Sequence, residues 1–221
     1  MESSKNIVIL LAGGSGKRFE SKKPKQFVKV FGKTILEHTL DNINSIPSID
    51  EIYLICHSDY IKKVSQLTGK YQKIKTILPG GDTRGASIKQ GIDAIPYSSE
   101  GTKVIIHDSI RPLVSPSVVD KMIQLLDMYE LVQSVSETNM DIVIENQFYH
   151  RDGIKICSGP EGARLGLLRK AYQLNPCNSV LQSCSSMTSK IINVNTNPEN
   201  IKVTYSTDIS ILKQELKKRL F

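Results

Sequence analysis

A glycine-rich loop followed by basic residues is the first feature of the sequence that suggests chemistry. The segment LAGGSGKR, residues 11–18, follows an apolar run, and its three glycines expose backbone N–H groups that can surround an anion. Arg18 and Lys25 follow, and we expect both on a solvent-facing loop, where they offer charge to phosphate oxygens. The spacing fits neither a Walker A loop nor the GxGxxG pattern. It favours a phosphate-binding loop, although a glycine turn followed by a solvated basic loop has the same composition.

A second glycine pair lies in the segment GGDTRGAS, residues 80–87, which follows a predicted strand and opens a predicted helix. Asp82 and Ser87 have the polar groups needed to read the hydrogen-bonding edge of a base. The alternative is that Asp82 only caps the helix, a position that aspartate serves well.

A carboxylate follows the apolar run of the segment VIIHDSIRP, residues 104–112. A buried strand would deliver Asp108 to the edge of a sheet, where a carboxylate can hold Mg²⁺ or a sugar hydroxyl. We interpret the neighbouring His107 as a structural histidine. Near the chain end, Lys202 is predicted on a short strand, either as another phosphate ligand or as an ordinary strand lysine.

The elements that must position these residues alternate along the first half of the chain. Apolar runs predict strands at 6–12, 51–57, 74–80 and 103–108, and helical spacing predicts helices between them and at 117–128. The alternation predicts an α/β fold with a doubly wound, mostly parallel sheet. Ligands of such sheets bind at the carboxyl ends of the strands, where the polar segments fall.

The second half is less regular. Its predicted elements are a strand at 130–135, a projecting β-arm around 141–150, a helix at 162–174, strands at 191–195 and 201–206, and a helix at 207–220. We expect a single domain over residues 1–221, with the arm at about 139–152.

Composition narrows the classes of partner. The chain has 221 residues, 39% hydrophobic and 23% charged, and a formal charge of +7. No run approaches the roughly 20 apolar residues of a membrane span, and we expect neither a signal peptide nor a membrane partner. No basic, aromatic-rich segment favours nucleic acid. Four cysteines without metal-site spacing fit reduced thiols and a cytoplasmic location. The positive charge therefore favours small anionic substrates.

Taken together and in this order, LAGGSGKRF…PKQF, GGDTRGAS, HDSIRPLV and ENIKVT resemble the cytidylyltransferases that activate polyol phosphates. That family includes methylerythritol-phosphate and ribitol-phosphate cytidylyltransferases. The resemblance runs from Asn6 to about Leu212. It implies a Rossmann-like nucleotidyltransferase fold, CTP and a small phosphorylated acceptor as substrates, Mg²⁺ as cofactor, and a homodimer formed through the β-arm.

The resemblance also implies roles for particular residues. Three would hold the triphosphate and act in catalysis: Arg18, Lys25 and Lys202. Eight would bind CTP: Ala12, Gly13, Gly14, Ser15, Gly81, Asp82, Ser87 and Asp108, the last also a candidate metal ligand. Three would bind the acceptor: Arg111, Thr138 and Arg151, of which Arg151 would reach the site of the neighbouring subunit.

The chain departs from the family pattern on the acceptor side. The family usually has Pro-Val-x-Asp-Thr, where this chain has residues 134–138, and Thr-Pro-Gln, where this chain has Gly159, Pro160 and Glu161. Its Thr-Asp-Asp/Glu segment is also altered here, at residues 187–190. Glu161 would accept hydrogen bonds from the acceptor or pair with an ammonium group; alternatively it starts the following helix, where a carboxylate suits the dipole.

Three functions remain open on these residues. The first is a cytidylyltransferase for a ribitol-5-phosphate-like acceptor. The second is the methylerythritol-4-phosphate enzyme with a changed acceptor site. The third is a nucleotide-binding regulator without catalysis.

Overall fold

The fold is seen in a computed structural model, which describes residues 4–14, 19, 23–96 and 101–220. The strands are β1 (Asn6–Ala12), β2 (Lys29–Val30), β3 (Lys33–Thr34), β4 (Glu51–Cys56), β5 (Ile74–Pro79), β6 (Lys103–Asp108), β7 (Leu131–Glu137), β8 (Ile142–Ile144), β9 (Gln147–Tyr149), β10 (Lys155–Arg164) and β11 (Ile191–Asn195). The helices are α1 (Ile35–Asn44), α2 (Ile61–Thr68), α3 (Arg84–Asp93), α4 (Pro116–Leu125), α5 (Leu165–Leu174), α6 (Val180–Cys184) and α7 (Asp208–Leu220).

Seven strands form one sheet in the order β11-β7-β10-β6-β1-β4-β5. All neighbouring strands are parallel except β10, which runs antiparallel to both β6 and β7. The chain moves outward from β1 to β4 and β5, then returns to place β6 on the other side of β1. This reversal opens a crevice at the carboxyl ends of β1 and β6, the place where open α/β sheets bind ligands.

Helices cover both faces of the sheet, because alternate residues of the central strands point to opposite sides. Val8 and Leu10 of β1 pack in a cluster with residues of α1, α2 and α4. Ile7 and Ile9 pack on the other face, in a cluster with residues of α3, α5 and α6. A third cluster lies beneath α7. The predicted doubly wound sheet is confirmed.

The predicted β-arm is also confirmed: β8 and β9 form a hairpin separate from the large sheet. Its turn residues, Glu145 and Asn146, both have positive φ angles, of 48° and 67°, as a two-residue hairpin turn of the primed type requires. Three of its apolar side chains are exposed: Val143 by 66%, Ile144 by 55% and Phe148 by 64%.

Two predictions about the second half are wrong. No strand forms at 201–206; that segment joins no sheet, and a bond from Val203 N to Ile110 O, 3.0 Å long, holds it. A long strand, β10, was not predicted. It includes residues 162–164, so α5 begins at Leu165, and it places Glu161 inside the sheet, paired with Ile106 and Gln133, instead of at a helix start. Within the part of the chain that the structure describes, no helix has the length and apolar character to cross a membrane.

Candidate functional site

A cavity of about 620 Å³ lies at the carboxyl ends of β1, β4, β5 and β6. We call it the strand-end cavity. Eight of the residues that line it belong to the sets predicted from the sequence: Gly13, Gly14, Lys25, Gly81, Asp82, Ser87, Asp108 and Lys202. Six more polar residues at its wall were given no role from the sequence: Gln26, His57, Ser58, Thr83, Arg84 and Ser109. The sheet therefore brings the separate sequence segments together, as their places after the strands predicted.

The beginning of the glycine loop is held by Gln26, whose side chain is 2% exposed. Its Nε2 atom donates to the carbonyl of Ala12 at 2.8 Å and to that of Gly14 at 3.2 Å. Two predicted ligands in this loop, Ser15 and Arg18, lie outside the described residues.

Lys25 begins a short 3-10 helix, Lys25–Phe27, that reaches the cavity wall. It is only 7% exposed, so the prediction that it lies on a solvent-facing loop is wrong. Burial of the aliphatic stem allows a lysine to bring its ammonium group to a site with few alternative positions.

The second glycine pair is shaped by Ser87. Its hydroxyl accepts from the amide of Gly81 at 3.1 Å and donates to the carbonyl of the same residue at 3.3 Å. The helix cap is Thr83, whose side chain accepts from Ala86 N at 3.0 Å, so the cap alternative for Asp82 is wrong. Asp82 is exposed and lines the strand-end cavity, so it stays available to a ligand.

Asp108 lies beside Leu11 in the sheet and is surrounded by three cations. Its carboxylate is 2.8 Å from Lys202 Nζ, 3.3 Å from Arg84 Nε and 3.9 Å from Arg111 Nε. Burial alone would raise the pKa of Asp108, but the charges of Arg84, Lys202 and Arg111 outweigh it and lower the pKa well below its usual range. The carboxylate therefore stays ionised at neutral pH and fixes the positions of the cations at the cavity.

Arg84 is the most informative residue that the sequence did not single out. It is the first residue of α3, and its guanidinium joins Asp108 to Glu161, with Nη1 3.0 Å from Glu161 Oε1. The same nitrogen donates to the carbonyl of Asn178. Burial opposes the charge, but the two carboxylates outweigh it and raise the pKa of Arg84. The only sequence signal was its place inside GGDTRGAS, because its partners lie 24 and 77 residues away.

The structure changes both interpretations of Glu161, as a contact for the acceptor and as the start of a helix. It lies in β10 instead of at a helix start, and it is 6% exposed. Besides Arg84, its carboxylate accepts from Ser179 Oγ at 2.8 Å, Val180 N at 2.6 Å and Leu181 N at 3.3 Å. Both oxygens are thus engaged within the chain, and this arrangement gives no support to a direct contact with an acceptor.

Behind Asp108 lie His107 and Arg111. His107 is completely buried, its Nε2 is 3.0 Å from Arg111 O, and its Nδ1 has no hydrogen-bond partner among the described residues. Burial lowers the pKa of His107 to about 4, in keeping with a structural role. Arg111 Nη1 donates to Asn200 O at 3.1 Å, which anchors the segment that carries Lys202. Burial lowers the pKa of Arg111.

The remaining acceptor residues lie elsewhere. Thr138 and Arg151 line an open concavity of about 410 Å³ at the base of the hairpin, which we call the arm concavity. The hydroxyl of Thr138 accepts from Met140 N at 3.1 Å, and Arg151 Nη1 donates to Asn139 O at 3.3 Å. Both residues are exposed or partly so. Within one chain, the structure does not bring them into the strand-end cavity.

The donor set for a metal ion is small. Among the described residues, no group of three or more histidine, cysteine, aspartate or glutamate side chains is arranged to hold a metal. Asp108 is a single buried carboxylate at the cavity. That set fits only an ion that takes its other ligands from phosphates and water, as Mg²⁺ does with nucleotides.

A doubly wound sheet with a glycine loop and a cationic cavity at its reversal point defines a nucleotide-binding α/β protein. Residues 6–218 match the family described as IspD: 2-C-methyl-D-erythritol 4-phosphate cytidylyltransferase. The chain belongs to this family.

Relatives named for two different polyols are similar to this chain. The bifunctional ribulose 5-phosphate reductase/CDP-ribitol pyrophosphorylase Bcs1 of Haemophilus influenzae is 32% identical, over 96% of this chain and 48% of that protein. Ribitol-5-phosphate cytidylyltransferase of Streptococcus agalactiae serotype Ia is 37% identical over 54% and 52%. The alignments thus span about half of the length of these two relatives. The 2-C-methyl-D-erythritol 4-phosphate cytidylyltransferase of Thermobifida fusca is 26% identical over 94% and 92%.

A solved structure has the same architecture. The 4-diphosphocytidyl-2C-methyl-D-erythritol synthase of Anaerococcus prevotii superposes with a TM-score of 0.83 at 25% identity, over 97% of this chain and 96% of that one.

Proposed function

We propose that this protein is a cytidylyltransferase that joins CTP to a ribitol-5-phosphate-like polyol phosphate and releases pyrophosphate. The observation that carries the proposal is the strand-end cavity, where the polar loop of Gly81, Asp82 and Ser87 and a cluster of cations share one space. A phosphate oxygen of the acceptor attacks the α-phosphorus of CTP, the new P–O bond forms, and the bond to the bridging oxygen of pyrophosphate breaks. The attacking oxygen is already an anion, so positioning and charge neutralisation supply the catalysis.

The nucleotide half rests on groups inside one chain. We assign the triphosphate to the glycine loop, Lys25 and Lys202, together with Arg18. We assign the cytosine to the loop of Gly81, Asp82 and Ser87, whose backbone is already held in one shape. A site that pairs particular polar edges penalises bases that leave those groups unpaired, so CTP should exceed UTP, ATP and GTP.

Mg²⁺ would be held by Asp108 and by the phosphates of the nucleotide. When bound, it would neutralise part of the triphosphate charge. The side chains of this chain that share this task are Lys25 and Lys202, which line the same cavity.

The acceptor half would include Thr138 and Arg151, whose hydroxyl and guanidinium suit a phosphate. Because they lie apart from the strand-end cavity in one chain, we propose that a homodimer formed through the β-arm brings them to the partner's cavity. The exposed apolar side chains of the hairpin supply the surface for such a dimer. The cytoplasmic location stays a prediction from the sequence.

A ribitol-like acceptor is favoured over methylerythritol phosphate by the acceptor-side departures of the sequence from the family pattern. Sequence identity does not separate the two acceptors, because over about half of this chain a relative named for ribitol 5-phosphate aligns at 37% and one named for 2-C-methyl-D-erythritol 4-phosphate at 38%. Gly159 also differs structurally from the family's threonine: its φ is 150°, and a Cβ there would lie 2.7 Å from both Asn200 Nδ2 and Ser134 Oγ. A threonine would be strained at this position, so the backbone here fits this chain's glycine and not the family's threonine.

Pyrophosphate release with CTP and a panel of polyol phosphates tests the proposal. We expect ribitol 5-phosphate to be among the best acceptors and methylerythritol phosphate to be poor. If methylerythritol phosphate is the best acceptor, the ribitol assignment is wrong. CTP binding without turnover on any acceptor would instead favour the non-catalytic regulator.

A further inference from the structure

The buried carboxylate of Glu161 connects the start of α3 with the start of α6, two parts of the molecule that are far apart in the sequence. One oxygen pairs with Arg84 at 3.0 Å, and the other accepts three hydrogen bonds at the start of α6. Arg84 in turn pairs with Asp108 at the floor of the strand-end cavity. The family usually has a neutral amide where this chain has Glu161, so the connection is a feature of this chain.

The close packing around Arg84 shows that this connection is built into the fold. The segment before α6 lies directly on the first turn of α3: a Cβ at Gly85 would lie 2.2 Å from Pro176 O, so only glycine fits there. Gly85 N donates to Asn178 Oδ1 at 3.0 Å, and Arg84 donates to the carbonyl of the same residue. The guanidinium is therefore held from three sides, by Asp108, Glu161 and Asn178.

We propose that Glu161 is a positioning residue for the reaction, which acts by holding Arg84 against Asp108. The side chain of Arg84 is only 26% exposed. Without the Glu161 charge, the Nη1 end of this guanidinium would lose its carboxylate partner, and part of the arginine charge would be buried without compensation. With both carboxylates present, the Nε atom of Arg84 stays beside the Asp108 carboxylate. The position of that carboxylate relative to the Lys202 ammonium group is then fixed as well. The proposal rests on the proposed function, since Asp108 is assigned to the nucleotide site.

Replacement by glutamine separates the two connections of Glu161. In Glu161→Gln the amide oxygen can still accept from the three donors of α6. The amide nitrogen must then face Arg84 Nη1, and two donors cannot bond to each other. The variant thus keeps the α6 contacts and breaks the contact with Arg84. Ser179→Ala does the reverse, because it removes one α6 donor and leaves the Arg84 pair intact.

The first measurement is turnover. We expect Glu161→Gln to lower kcat about 10-fold or more, the range for a lost charged hydrogen bond, with little change in the KM for CTP because the base loop is untouched. We expect Ser179→Ala to stay near the wild type. In an Arg84→Met background, Glu161→Gln should have no further effect, since the residue acts through Arg84. Equal losses in Glu161→Gln and Ser179→Ala, or additive losses with Arg84→Met, would overturn the proposal.

The second measurement needs no turnover. The Nε–H resonance of Arg84 in nitrogen-15 spectra should exchange slowly with solvent in the wild type and in Ser179→Ala, and markedly faster in Glu161→Gln. Unchanged protection in Glu161→Gln would refute the positioning role. If the wild type transfers no cytidylyl group to any acceptor, the proposed function fails, while this comparison still decides whether Glu161 positions Arg84.

Discussion

The two concave sites of this molecule differ in how their polar side chains are held. In the strand-end cavity, Asp108 contacts three cations, and Gln26 and Ser87 fix the two glycine segments from behind. In the arm concavity, the side chains of Thr138 and Arg151 bond to backbone groups of Met140 and Asn139, two and twelve residues away, and remain in contact with solvent. The first site is preorganised by the fold of one chain. The arm concavity has the residue types of a phosphate site, but within the described part of one chain no buried partner holds its side chains in place. A site that is completed by a second subunit would have this property.

The largest effect that this comparison predicts is on the strand-end cavity. Lys202→Ala should lower kcat about 10²–10³-fold, as loss of other preorganised charge-stabilising groups does. The fold should survive, since the side chain is 38% exposed. Lys89→Ala is the matched control, because that lysine forms an exposed pair with Asp93 on α3. Steady-state kinetics with saturating CTP measure the effect, and near-normal turnover would remove Lys202 from the catalytic set.

The next effect sharpens the role of the arm. Phe148→Asp places a charge on an apolar side chain that is 64% exposed, and we expect it to convert a dimer into monomers and to lower turnover without unfolding the chain. Sedimentation at micromolar concentration measures the state. Met128→Asp is the control, since Met128 is 68% exposed and far from the hairpin in sequence. A wild type that sediments as a monomer would contradict the dimer.

The smallest effect concerns stability in the buried region behind the strand-end cavity. Burial lowers the pKa of His107 to about 4, below the roughly 6.5 of an unfolded chain. The unfolded state therefore binds the proton first on acidification, and the stability that His107 contributes above pH 6.5 is lost as the pH falls toward 4. Denaturant unfolding between these values should show this loss in the wild type. The free energy of unfolding should change less with pH in His107→Asn than in the wild type. An equal change in the two proteins would show that another group titrates.

Much of the fold could be predicted from the sequence, because the parallel strands are continuous apolar runs with β-branched residues, such as Asn6–Ala12. β10 escaped prediction since Gly159 and Pro160 interrupt it and its register shifts between Cys157 and Glu161. The strand-end positions of Asp82 and Asp108 followed from the fold class. The Arg84 pairs did not, because they depend on α3, β6 and β10 meeting at one point.

A mixed-dimer experiment tests the central claim most directly, namely that the arm concavity serves the strand-end cavity of another subunit. Lys202→Ala inactivates the cavity, and Arg151→Ala inactivates the arm. The two inactive variants are mixed in equal amounts, dissociated and allowed to reassociate. The mixture should recover about a quarter of wild-type activity, because half of the dimers are mixed and one of the two sites in each mixed dimer pairs an intact cavity with an intact arm. No recovery in a mixture shown to contain the mixed dimer would contradict the account.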